Sequence, residues 1–214
     1  MNKVASQLNE FRSTLRKNSA DYQIQLTENT IERLCKYYEL LLLWNPRAHL
    51  VAPCSPHEFA TRHVLESLVL LAHLSSDARV ADVGSGAGLP IIPCLIARPD
   101  LSATLIESSQ KKAIFLREAL KEVELLRAGT VVARPFEETA TVDADYITCR
   151  ALDRFLPKLP SLIGWSPEKA TLLLFGGESL RDYLGRAGFK YVEILVPRSQ
   201  KRFLFIVRRD SKSR

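Results

Sequence analysis

The chain has 214 residues, enough for one good core or for one domain with an extension. Its apolar content of 46% and charged content of 25% are those of a soluble globular protein, and its most continuous apolar stretch, Leu89 to Ala97, is too short for a bilayer and holds two prolines. The net charge of +6, from 30 Lys and Arg against 24 Asp and Glu, fits either a polyanionic partner or a merely solvated basic surface. The start, "MNKVASQLNEF", lacks the apolar run of a signal peptide, so a cytoplasmic protein is expected. Cys35, Cys54, Cys94 and Cys149 are scattered, and His49, His57, His63 and His73 have no ligand spacing, so no metal site is expected.

Residues 1–75 read as a helical extension and 76–214 as the main domain, the two forming one compact unit. In the extension, Ile31, Leu34, Cys35, Tyr38, Leu41 and Leu42 follow one helix face, and Pro46 is expected to limit that helix. "SPHE" predicts a second start, with Ser55 as cap, Pro56 at the first position and Glu58 closing a capping box. Its apolar face would use Phe59, Val64, Leu65, Leu68, Leu71 and Ala72. After residue 78 short apolar runs alternate with helical patterns. Strands are predicted at Val80–Val83, Ala103–Ile106, Val131–Ala133, Tyr146–Cys149 and Leu172–Phe175, with helices from Leu89 and through Phe115, Leu116 and Leu120. This alternation implies a mainly parallel sheet covered on both faces. Two last runs, Tyr191–Leu195 and Phe203–Val207, have no helix between them and suggest an antiparallel pair closing the sheet.

The stretch "RVADVGSGAGLP", Arg79 to Pro90, hands a buried strand to a helix through Gly84, Gly86 and Gly88. Glycines there let a ligand touch backbone. A dinucleotide fingerprint would need glycine where Leu89 stands, and the phosphate-loop Gly-Lys-Ser/Thr is absent, so the loop suits pyrophosphate poorly. Glu107 ends the next apolar run and is placed to accept from both ribose hydroxyls. The alternative is that it simply caps the helix entered at Ser108 or Ser109. Loop and acid together indicate an adenosine-containing ligand.

Beyond the glycine loop the chain carries "LLLWNPRAHL" at 41–50, "TRHVLESL" at 61–68, "DVGSGAGLPIIP" at 82–93, "IESSQKKAIFL" at 106–116 and "CRAL" at 149–152. On these stretches it resembles the bacterial small-subunit ribosomal RNA guanine-N7 methyltransferases, also called glucose-inhibited division protein B. The chain departs from the family pattern at Ile91, at His49-Leu50-Val51, at Glu66 and at Gly176-Gly177. The last pair stands where the family has Lys-Gly, so another cation would have to serve there.

The resemblance implies a class I, Rossmann-like α/β fold with a seven-stranded sheet, S-adenosylmethionine as cofactor, and ribosomal RNA, within a subunit or assembly particle, as partner. It puts Gly84, Ser85, Gly86, Gly88 and Leu89 against the cofactor, Glu107 on its ribose, and Phe136 and Glu137 beside its adenine. Phe136 could equally be core. Arg150, after the fourth strand, would position substrate or cofactor, by binding RNA phosphate or a guanine edge. Arg62, His63, Lys111 and Lys112 are candidate RNA contacts, or else capping and solvated residues. Guanine N7 presents a lone pair, so no general base is expected.

Three rival readings remain. Cys149 at a strand tip would suit an RNA cytosine-C5 methyltransferase, provided its thiol is activated. A non-enzymatic nucleotide-binding assembly factor and a small-molecule methyltransferase are the others. The basic residues Arg198, Lys201, Arg202, Arg208, Arg209, Lys212 and Arg214 form either a solvated tail or a nucleic-acid contact.

Overall fold

The computed structural model describes residues 3–150 and 156–208. Arg209, Lys212 and Arg214 of the basic tail, and Ala151 and Leu152 of "CRAL", lie outside the described residues.

A seven-stranded sheet organises the chain. Its strands are β1 (Arg79–Val83), β2 (Ser102–Ile106), β3 (Gly129–Val132), β4 (Tyr146–Cys149), β5 (Thr171–Gly176), β6 (Tyr191–Leu195) and β7 (Phe203–Arg208), in spatial order β3-β2-β1-β4-β5-β7-β6. The first five run parallel, and β7 is antiparallel to both β5 and β6. β1 therefore marks the switch in strand order, where a doubly wound sheet opens a crevice at its carboxyl ends. The third strand starts two residues earlier than its apolar run suggests, because Gly129 already pairs with Ala103.

Helices α1 (Lys3–Asn18) and α2 (Glu28–Ala48) precede the sheet. Pro46 does not stop α2, which runs on to Ala48. Proline there removes one hydrogen bond only in the last turn, and His49 then closes the helix in the left-handed region, its N–H bonding to Asn45 O. α2 is buried on two sides, by α1 and by helices α5 (Ile91–Ala97) and α6 (Gln110–Glu122), so Tyr37 is as buried as the predicted stripe. α5 starts two residues later than expected, after a cis Leu89–Pro90 bond.

The segment after Ser55 is helical but not uniform: α3 (Pro56–Glu58), a π-helical stretch over Phe59–Leu65, α4 (Glu66–Leu68) and a 3-10 turn over Val69–His73. Ser55 Oγ caps Glu58 N at 3.0 Å, while the Glu58 carboxylate pairs with Arg62. The π character shows in the Glu66 N–H, which reaches five residues back to Thr61 O.

One core unites Phe11, Tyr38, Phe59 and Phe115 with Leu173, Phe175 and Leu204 of the sheet, and a stack of Phe11 on Tyr38 (4.4 Å) and Tyr38 on Phe59 (4.7 Å) holds the extension to it. A second core lies on the opposite face under α7 (Leu159–Trp165) and α8 (Glu178–Arg186). Among the described residues no helix is long and apolar enough to cross a membrane, and no group of three or more His, Cys, Asp or Glu side chains could hold a metal ion.

Candidate active site

β1 ends in a turn whose two leading amides, Gly84 N and Ser85 N, both donate to Ile106 O of β2, at 2.9 and 3.1 Å. The glycines of this turn differ in purpose. Gly84 and Gly86 take φ of +72° and +55°, and a Cβ on either would meet no atom closer than 3.7 Å, so the space above them is open. Gly88 is buried, and a Cβ there would lie 2.3 Å from the Ile92 side chain, so this glycine serves helix packing. Leu89 is likewise buried. Ser85 points inward, its hydroxyl donating to Asp82 O at 2.9 Å.

Glu107 joins two elements. One carboxylate oxygen accepts from Gly86 N at 2.9 Å and the other from Ser109 N at 2.8 Å. Glu107 thus ties the glycine turn to the start of α6, and each oxygen keeps a lone pair for a further donor.

The sequence patterns passed over Asp82. Its side chain is 1% exposed, and neither carboxylate oxygen has a hydrogen-bond partner. The hydroxyl of Thr148, its register partner on β4, is unpartnered as well. Burial pushes the Asp82 carboxyl up to about 7, opposed by the nearby Ser85 hydroxyl and helped by the Glu107 charge. The sequence signal was the single acid inside "VADV".

Arg150 is committed elsewhere. Its guanidinium donates to His63 O and Ser67 Oγ, each at 3.1 Å, and to Arg62 O, and it approaches Glu66 Oε2 at 3.4 Å. Glu66, 2% exposed, is also held by Arg202 at 2.6 Å. Arg202, read from sequence as part of a basic tail, is therefore an internal tie, and Arg198 pairs with Asp21 at 3.1 Å. His63 packs on Phe59 with ring centroids 5.3 Å apart, and burial together with Arg150, Arg62 and Arg202 pushes its imidazole down to about 3. It is neutral at physiological pH and offers RNA no charge.

The remaining candidates are spread out. Phe136 is core, edge-on to Trp165 at 5.8 Å, and Glu137 pairs with Lys158 at 2.7 Å. Lys111 and Lys112 open α6, and Lys111 Nζ donates to Arg47 O at 3.3 Å. Cys149 is 3% exposed, and burial drives its thiol well above the ordinary range, the reverse of an activated nucleophile.

The sequence model of the family described as rRNA small subunit methyltransferase G matches residues 30–182. The chain belongs to this family. Among the relatives of rRNA small subunit methyltransferase G, the chain is 44% identical over 120 residues to the protein of Xanthomonas axonopodis pv. citri, covering 56% of each chain. It is 39% identical over 137 residues to that of Chromobacterium violaceum, covering 64% of this chain and 66% of the relative. The matches thus span between about half and two thirds of these relatives' length.

Solved structures add the fold. A SAM-dependent methyltransferase from Aquifex aeolicus aligns with TM-score 0.57 at 14% identity, over 80% of this chain and 97% of that one. The ribosomal protein L11 methylase of Lactobacillus delbrueckii subsp. bulgaricus aligns with TM-score 0.57 at 14% identity, over 70% and 79%. Both are similar to this member of the family in architecture, a class I, Rossmann-like methyltransferase fold.

Proposed function

We propose that the protein transfers a methyl group from S-adenosylmethionine to N7 of a guanine in small-subunit ribosomal RNA. The observation that carries this reading is the open glycine turn with the unpartnered Asp82 carboxyl beneath it and Glu107 at its rim. A buried carboxyl with two empty acceptors fits a ligand that brings positive charge and N–H donors. The free lone pairs of Glu107 fit vicinal hydroxyls. Gly84 and Gly86 leave open room close to the backbone above them. S-adenosylmethionine has all three features, and when bound it supplies a methyl group on a positively charged sulfur.

The protein's own residues then have modest chemical duties. Guanine N7 has a lone pair and no proton, so nothing in the site needs to act as a base. The task is orientation and exclusion of water. Arg150 serves it indirectly, by fixing the carbonyls of Arg62 and His63 beside the tip of β4. The buried, protonated thiol of Cys149 disfavours the cytosine-C5 alternative.

The test is transfer of radiolabelled methyl from S-adenosylmethionine to ribosomal RNA, both naked and in assembled small subunits, followed by nuclease digestion and chromatography. Label is expected in 7-methylguanosine. Label in 5-methylcytidine, or none on either substrate, would overturn the reading.

A further inference from the structure

An open cavity of about 680 Å³ lies at the amino-terminal edge of the parallel strands, far from the glycine turn. Four cations line it, Arg33, Lys36, Lys121 and Arg127, against two carboxylates, Glu122 and Glu124. Lys36, Lys121 and Arg127 are exposed and make no ion pair with any described residue. Neither the glycine turn nor the network of Arg150 explains them.

The cavity is one end of a longer surface. α2 and α6 pack antiparallel: Arg33 near the start of α2 donates to Val123 O just past α6, and Lys111 near the start of α6 donates to Arg47 O near the end of α2. Between these ties Leu43 is 70% exposed on α2 and Ile114 is 48% exposed on α6. By helical spacing Lys36, Leu43 and Arg47 fall on one stripe of α2 with exposed Glu39 at its margin, and Ile114, exposed Glu118 and Lys121 fall on one stripe of α6, so the cations outnumber the acids without excluding them. α6 has 13 residues, so the surface extends roughly 20 Å. Its far end, Lys111, is two residues beyond Ser109, whose amide holds Glu107.

We propose that this α2–α6 face, ending in the basic cavity, is a docking track for a single-stranded segment of the RNA substrate, whose target guanine sits at the Glu107 end. The inference rests on the proposed RNA substrate and adds to it where the flanking strand runs. The unpaired cations of the cavity and the lysines at the start of α6 match phosphates, and the exposed Leu43 and Ile114 between them match base faces. An exposed apolar pair amid cations suits a flexible single strand, which presents both phosphates and unstacked bases, better than a duplex, which hides the bases.

The experiment uses the full chain and compares two charge-matched triple variants. One is Lys36→Gln/Lys121→Gln/Arg127→Gln. The other, away from the track, is Lys17→Gln/Lys169→Gln/Arg186→Gln. Affinity for a fluorescein-labelled single-stranded RNA is measured by anisotropy across salt concentrations, with calorimetry of S-adenosylhomocysteine binding and methyl transfer to ribosomal RNA on the same preparations. The track variant is expected to lose at least about tenfold in RNA affinity at about 0.1 M salt and to flatten the log–log salt slope by roughly 2 units. Its S-adenosylhomocysteine affinity should be unchanged, and the control should stay within about twofold of wild type. Equal losses in both variants, or none in the track variant while the wild type methylates RNA, would overturn the track and leave the proposed function standing. A wild type that neither binds nor methylates RNA would overturn both.

Discussion

The hydroxyl of Tyr37, in the middle of α2, donates a 2.6 Å hydrogen bond to the carbonyl of Ala87 inside the glycine turn. The ring is fully buried, and burial raises its phenol far above the ordinary range, so it remains a donor at every accessible pH. The helical extension thereby holds the turn that the cofactor is proposed to touch. Tyr37→Phe keeps the ring and strands the Ala87 oxygen. It should cost about 1–3 kcal/mol of stability and weaken S-adenosylhomocysteine binding severalfold, as read by thermal unfolding and calorimetry. A variant that loses stability but binds with wild-type affinity would show that the bond supports the fold alone.

The glycines should separate by phenotype. Gly86→Asp sets a carboxylate in the left-handed region beside Glu107 and into the open space, so ligand affinity should collapse. Gly88→Ala drives a methyl group into Ile92, so the fold should suffer first, by about 1–3 kcal/mol of overpacking. Paired calorimetry and urea titrations decide it. Unchanged ligand affinity in Gly86→Asp would refute the placement of the site.

Asp82 makes the stability of the ligand-free protein depend on pH. Its folded carboxyl titrates near 7, well above its ordinary 3.8. Between those values the folded state keeps a proton that the unfolded state has lost. The contribution of Asp82 is therefore fully present below about pH 4 and declines as pH rises to about 7, on the order of 1.4 kcal/mol per pKa unit. Asp82→Asn should flatten this decline in urea midpoints between pH 4 and 8 and should weaken S-adenosylmethionine binding. An Asn variant with the wild-type pH profile would remove Asp82 from the account.

Adjacent residues at the tip of β4 should respond oppositely. Cys149→Ser should retain most methyl transfer. Arg150→Ala leaves three acceptors of the 62–67 segment short of a donor and Glu66 with one partner fewer, so it should lose about 3–5 kcal/mol of stability. Adding Glu66→Gln should recover part of that loss. A dead Cys149→Ser beside a stable, active Arg150→Ala would reverse both assignments.

Much of this architecture was legible in sequence because its signals are local. Strand–helix alternation, the glycines of "GSGAG" and the acid ending "ATLIE" each report on their own neighbourhood. What escaped depends on approach across the fold. Tyr37 lies off the apolar stripe of α2, and only a helix buried on two sides brings it to Ala87. Arg150 and Arg202 look like surface cations until the chain brings Glu66 between them. Asp82 was visible as the odd residue in an apolar run, but its missing partners are a property of three dimensions. The π-helical turn has no sequence signature; there the carbonyls of Arg62 and His63 accept from Arg150, an arginine more than eighty positions away.

The placement of β7 between β5 and β6 ties the covering of a strand edge to the order of strands in the chain. β5 is complete at Gly176, yet the edge it offers is covered by Phe203–Arg208 and not by the next strand made. Without those residues Leu172 and Leu174 would sit on an open edge with no backbone partner on that side, and β6 would have nothing to join. A chain lacking them would display an apolar, hydrogen-bonding edge of the kind that pairs with other chains. The edge of β5 is therefore protected by a six-residue strand that follows β6 in the chain, so covering it requires both strands to be in place.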